Sequence, residues 1–339
     1  MNKTLLKACL IGGALGDSVG LPSEGMNARR IARLRSGRLR QSLVFGKGMI
    51  SDDTEHAVMT LLSLMDHDGD SQKFASALAC RLRWWLASVP AGIGLATARS
   101  LVKLWLGFKP ANSGVFSAGN GPLMRAPVIG VWFAGDGPKR NEFVRTSTLI
   151  THRDPRAIEA ARMVAHAVAL AATGTLTNEE ILERLQTDIE SDDLRNRFLK
   201  LTEELKAGQS VEAYANSISK KPGFVSGFAP ETACVAIYAW LRHRGDFRMT
   251  IEAVVKAGGD TDTVGFVAGS IAGAECGPEG LATDWLADLR DWPIHAGFIE
   301  RITAGNKSRY PNWPLSLLRN ILFLLIVLTH GFRRLLPPY

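Results

Sequence analysis

The stretch Gly258-Gly259-Asp260-Thr261-Asp262-Thr263-Val264-Gly265 sets two acids and two hydroxyls between glycines and runs straight into an apolar helical pattern. A plain helix cap needs only one such acceptor. Alternating acids repel one another unless a cation or separate solvation relieves them. Far earlier in the chain, Ser51-Asp52-Asp53-Thr54 stands ahead of Val58, Leu61, Leu62 and Met65, which again follow helical spacing. Neither tetrad contains His or Cys, and donors that are all hard oxygens suit Mg²⁺ or Mn²⁺. If the two helix starts meet, they make a site for one or two such ions. Taken alone, the Ser51 tetrad reads as a cap. Ser191-Asp192-Asp193-Leu194 begins the same way and is expected only to cap a helix.

Helical periodicity recurs from end to end, and strand signals are scarce. Asp154-Pro155 supplies an N-cap with Pro at the first helical position, opening an Ala-rich helix over 156–172. Thr177 with Glu180 predicts a capping box, and residues 192–207, 231–243 and 247–257 predict further helices. The fold class is therefore all-α, with one compact multi-helix domain over residues 1–312. Two helices carry small-residue stripes: Ala8, Gly12, Gly16 and Gly20 in the first, Gly265, Gly269 and Gly273 in the other. Each interior glycine costs a helix about 1 kcal/mol relative to alanine. Two readings remain open: the stripes let two backbones approach near the acids, or each accommodates bulky neighbours.

At 339 residues and 46% apolar composition the chain can bury a large core. Its four cysteines are scattered without metal spacing, which fits reduced thiols and a cytoplasmic location. Of the +7 charge, much comes from one acid-free run holding Arg29, Arg30, Arg33, Arg35, Arg38 and Arg40. Such a run reads as a solvated face, and no specific nucleic-acid binding is expected. The N-terminus imitates a signal peptide, but Lys7 interrupts the apolar stretch and Asp17 follows closely; it reads as the first core helix. Residues 313–339 form a hydrophobic and basic tail. Its uninterrupted run, Ile321 to Leu328, falls short of the ~20 residues a span needs. Residues 315–336 could lie in a membrane interface, meet a partner, or dock on their own domain.

Three further segments carry candidate chemistry. Gly16-Asp17-Ser18-Val19-Gly20 ends the first helix and leaves Glu24 on the following loop, as a metal ligand, a general base or a surface acid. Ser117-Ala118-Gly119-Asn120-Gly121-Pro122-Leu123-Met124-Arg125 offers a turn whose backbone N–H groups can cradle phosphate, or simply a turn. In Thr151-His152-Arg153-Asp154-Pro155, His152 could touch a ligand or be structural.

In this order the segments resemble the ADP-ribosylglycohydrolase family, which includes the dinitrogenase reductase-activating glycohydrolases. The family pattern is matched by Gly12 to Glu24, Ser51 to Thr54, Gly119 to Arg125, Thr151 to Pro155 and Gly258 to Ala274; Gly223-Phe224-Val225 resembles its aromatic loop. The resemblance covers residues 5–277 and leaves the tail outside. It implies an all-α fold around two Mg²⁺ or Mn²⁺ ions held by Ser51, Asp52, Asp53, Asp260, Asp262 and Thr263. Ser51 replaces the usual Thr and keeps the hydroxyl oxygen. The implied reaction is hydrolysis of the bond between ADP-ribose and an acceptor, a protein side chain or small molecule. Asp53 or Glu24 would act as the base, and Ser117, Gly119, Asn120, Gly121 and His152 would hold substrate. A di-metal phosphoesterase or a non-catalytic ADP-ribose-binding protein are the alternatives. Acceptor identity is left open among Arg, Ser, a nucleobase and a free conjugate.

Overall fold

Glycine decides how the centre of the molecule packs. The computed structural model describes residues 2–306 and 308–334, so residues 335–339 of the expected tail, including Leu335 and Leu336, lie outside the described residues. Eighteen α-helices occur among them. They are α1 (Lys3–Gly20), α2 (Ala28–Leu34), α3 (Asp52–His67), α4 (Ser71–Ala87), α5 (Leu95–Trp105) and α6 (Pro110–Ser113). Next come α7 (Ala126–Trp132), α8 (Gly137–Leu149), α9 (Pro155–Ala171), α10 (Asn178–Gln186), α11 (Asp192–Lys206) and α12 (Val211–Ile218). Last are α13 (Ala229–Arg242), α14 (Phe247–Ala257), α15 (Thr261–Cys276), α16 (Thr283–Asp288), α17 (Ala296–Thr303) and α18 (Trp313–Arg333).

The helix starts follow the expected chemistry. Asp154 accepts from the Arg156 amide at 3.0 Å, with Pro155 opening α9. Thr177 and Glu180 make both bonds of the capping box of α10. Ser191 caps α11, and its neighbouring acids turn outward to Arg195 and Arg197. Those surface acids have basic partners, which separates them from the acids of the centre.

Helix α1 lies along α15 through the two glycine stripes. A Cβ on Gly12 would overlap the carbonyl oxygen of Gly269, and one on Gly16 would overlap that of Gly265. In the other direction, a Cβ on Gly265 would stand 2.6 Å from the Gly16 carbonyl oxygen. The stripes therefore face each other, and the first of the two readings holds. Around this pair, α9, α13 and α14 pack with fully buried alanines, Cys234, Trp240 and Ile251. The N-terminal segment is a core helix, 83% buried over its apolar window.

A two-stranded ribbon, β1 (Met26–Asn27) with β2 (Gly258–Gly259), pairs antiparallel in the register Met26 to Gly259. Such short strands carry no periodicity and were not expected from the sequence. The ribbon ties the loop after Glu24 to the segment that opens α15. Gly259 has φ +89°, and a side chain there would run into the Val225 backbone. Its conformation and its crowding both require glycine.

Helix α18 packs on the body through Ser316, Arg319, Asn320 and Phe323. Arg319 is 3% exposed and donates to Asp291 and to the Ile50 carbonyl, both at 2.6 Å. Asn320 donates to Ser88, and His330 donates to the Pro22 carbonyl at 3.2 Å. Among the alternatives for the tail, docking on its own domain is the one these contacts describe.

Replacing Gly16 or Gly265 by alanine should destabilise the protein by at least about 2 kcal/mol, because backbone cannot move aside as a side chain would. The helix-propensity gain of about 1 kcal/mol offsets only part of that. Gly69, with open space around its Cα, should tolerate alanine within about 0.5 kcal/mol. Urea denaturation midpoints check the contrast, and equal midpoints for all three variants would contradict it.

Candidate active site

Asp17 joins the first helix to the first acid tetrad. It sits fully buried near the end of α1 and accepts from the Ser51 amide at 2.9 Å and from the Thr54 hydroxyl at 2.6 Å. Burial pushes its carboxyl up to about 6, against those hydrogen bonds. The second tetrad is tied to the same helix, since the Thr261 hydroxyl donates to the Gly20 carbonyl at 2.8 Å. The two tetrads also touch directly: Thr263 Oγ1 donates to Asp53 Oδ2 at 3.2 Å. Ser51 caps α3, donating its hydroxyl to the same Asp53 oxygen at 3.1 Å and accepting from the Asp53 amide. The predicted meeting of the helix starts is thus present.

These acids raise one another. Burial and then Glu55, Asp17 and Glu24 hold Asp52 well above the usual carboxylate range. Burial and then Asp52, Asp17 and Asp260 do the same for Asp53; burial with Glu24, Asp260 and Asp53 does so for Asp262. Glu24 is pushed up to about 7 by burial and by Asp260, with Arg334 pulling the other way. Its side chain is solvent-exposed where it lines the cavity. Asp53 Oδ1 and Asp262 Oδ1 are buried without a hydrogen-bond partner. A buried carboxylate oxygen left unpaired is costly, and a cation relieves both that and the mutual repulsion. Among the described residues, however, no three His, Cys, Asp or Glu side chains are already drawn together closely enough to hold a metal ion.

The acids open onto a cavity of about 510 Å³ whose lining includes Glu24, Ser51, Asp52, Asp260, Asp262 and Thr263. Ser117, Gly119, Asn120, Gly121 and His152 line it too, so most of the residues singled out from the sequence share one space. Asp53 lies behind them, bonded to Ser51 and Thr263. Asn120 turns its amide to Asp260 at 2.8 Å and to Thr232 at 3.1 Å, so it fixes an acid as well as forming the wall. Ser117 Oγ accepts from the Gly119 amide and shapes the turn.

Several residues escaped the sequence reading. Arg125, the last residue of the glycine-loop motif, is completely buried and donates to Thr151 at 2.7 Å, to His56 at 3.0 Å and to Ser147. It holds the loop carrying His152, whose Nδ1 meets Thr151 Oγ1 at 2.9 Å. Its place inside the motif was the available signal. Thr97, Ala91, Phe323 and Val327 also line the cavity, and nothing in their local sequence marks them. The last two come from α18. Phe224 of the aromatic loop lines it as well.

An all-α domain thus places an acid cluster at two helix mouths beside a cleft with both polar and apolar walls. A family model described as ADP-ribosylglycohydrolase matches residues 3–312, and the chain belongs to that family. Hydrolysis of ADP-ribose linkages is the activity class that membership supports. The chain is 26% identical over 328 residues to the ADP-ribosylhydrolase ARH3 of Gallus gallus, covering 82% of this chain and 87% of that one. It is 25% identical over 290 residues to the ADP-ribosyl-[dinitrogen reductase] glycohydrolase of Rhodospirillum rubrum, covering 82% and 88% respectively. A solved ADP-ribosylglycohydrolase-related protein complex superposes with a TM-score of 0.68 at 26% identity, over 94% of this chain and 98% of that one. The family match stops at the residue before α18.

Burial and the Arg125 charge pull His152 down to about 3, and burial with the same guanidinium lowers His56. His152 should stay neutral between pH 8 and about 5, whereas a histidine in the unfolded chain takes a proton near 6.5. A lowered folded value makes the folded state bind fewer protons, so these groups withdraw stability as pH falls below about 6.5. Ring ¹⁵N chemical shifts followed against pH test this; a midpoint near 6.5 for His152 would refute it.

Proposed function

We propose that the protein hydrolyses the glycosidic bond between ADP-ribose and an acceptor, a protein side chain in the first instance, and so reverses ADP-ribosylation. The observation that carries this reading is the direct contact between the two acid tetrads, Thr263 to Asp53, beside a cavity walled by the glycine loop. The Gly119 to Gly121 backbone, Ser117 and His152 bind the diphosphate and ribose. A neutral His152 offers that ligand a hydrogen bond without a charge.

The donor set fits Mg²⁺, with Mn²⁺ the substitute: it is all oxygen, rich in carboxylates, and contains two buried oxygens with no other partner. Ser51, Asp52, Asp53, Asp260, Asp262 and Thr263 would hold two ions. When bound, such ions supply Lewis-acid orientation of ribose hydroxyls and of a water. Asp53 or Glu24 takes the proton of the attacking water; of the two, Glu24 lines the cavity. Asp17 touches no substrate; it fixes the start of α3. Water adds to the anomeric carbon through an oxocarbenium-like state as the bond to the acceptor breaks; the acceptor departs with a proton, and the diphosphate of the released ADP-ribose stays intact. That last point separates glycosidic cleavage from the di-metal phosphoesterase alternative, and turnover separates it from simple ADP-ribose binding.

Asp260→Asn keeps an acceptor for Asn120 but removes a charge from the site. Activity should fall by more than about 100-fold, beyond the 10–100-fold typical of residues behind a metal ligand. Circular dichroism controls for folding, and full activity in a folded variant would sink the metal reading. Offered ADP-ribosylated arginine, serine peptide and nucleic acid, the protein should release ADP-ribose from at least one with Mg²⁺ and from none with chelator. Millimolar Mg²⁺ should also raise the thermal midpoint, through preferential binding to the folded state. An unchanged midpoint would speak against a resident ion independently of substrate choice.

A further inference from the structure

Helix α18 is amphipathic the wrong way round for a helix in water. Its inner face buries Ser316, Arg319, Asn320 and Phe323, with Arg319 held between Asp291, Glu55 and the Ile50 carbonyl. Its outer face exposes Leu318, Ile321, Leu322, Leu325, Leu328 and Phe332, at 43% to 67% exposure. These fall three and four residues apart, so they form one stripe along the whole helix rather than scattered leucines. Contiguous exposed apolar surface of this kind marks an interaction site.

Its surroundings indicate what covers it. Near the start of α18, Trp313 is about half exposed and shares an apolar groove with Trp84, which packs edge to face on the equally exposed Trp105. At the other end, Arg30 of α2 donates to the Arg334 carbonyl at 2.6 Å, which places α2 beside the end of α18. Arg29 and Arg33 of α2 are exposed, and with Arg30 they line one shallow depression. No acid occurs from Met26 to Ile50, so the run itself carries only positive charge. Indole rings settle at a headgroup boundary, arginines attract anionic headgroups, and a leucine stripe lies among acyl chains.

We propose that the outer face of α18, with α2 beside it, docks the protein on an anionic lipid surface, the helix lying in the plane of the interface. The mean hydropathy of α18 would suit a span, but its buried, ion-paired inner face keeps it lengthwise on the domain. This surface is independent of the reaction assigned to the cavity. Failure of lipid binding and failure of hydrolysis are separate readouts.

Sedimentation of the full chain with vesicles tests it, using phosphatidylcholine alone and phosphatidylcholine mixed with phosphatidylglycerol. The protein should pellet with the anionic vesicles and stay in solution with the neutral ones. Arg29→Glu with Arg33→Glu should lower partitioning by at least about tenfold and reduce its salt dependence. Leu318→Asp with Leu325→Asp should abolish it while leaving the secondary structure and soluble activity unchanged. No binding to anionic vesicles overturns the proposal, as does equal binding to both kinds. So does light scattering that shows a dimer dissociated by the leucine substitutions, which would assign the face to a second copy. Should the leucine variants not fold, the comparison of vesicle types and the arginine variant decide the matter.

Discussion

Close approach of two helix backbones is the constraint on which the site rests. Without side chains at Gly12, Gly16, Gly265 and Gly269, α1 and α15 come near enough for the end of one to reach the start of the other. The Thr261 bond to Gly20 then locks α15, and Asp17 locks α3. A bulkier contact would push the tetrads apart, and the bond from Thr263 to Asp53 would be lost. The glycines therefore act on chemistry only through distance. Their conformational cost is offset by the burial and hydrogen bonding that the approach permits.

A cluster of acids facing one another is unstable by itself, and its arrangement shows what it is built to receive. Elsewhere in this chain acids are given arginines: Asp192 has Arg195, Asp291 has Arg319, Glu275 has Arg244. At the two helix mouths the acids mainly have hydroxyls, amides and each other. That asymmetry favours an external cation over a structural ion-pair network.

Much of this was legible because it depends on local rules. Caps, the Pro155 start and the capping box need only a few neighbouring residues, and the corresponding helices lie where expected. The glycine stripes gave their spacing but not their partner, since nothing along a single chain says which surface a helix meets. The contrast between the Ser51 and Ser191 tetrads was visible only as context: one lies beside Asp17, the other beside arginines. Thr97, Phe323 and Val327 could not be placed, because their positions follow from long-range packing. The ribbon between Met26 and Gly259 is too short for any pattern.

One wall of the cleft comes from beyond the stretch that defines the family, since Phe323 and Val327 belong to α18. Two relatives can therefore share every acid and the whole glycine loop and still present differently shaped doorways. Exchanging the terminal helix between such relatives offers a way to retune which modified substrates enter, with the chemical apparatus left as it is.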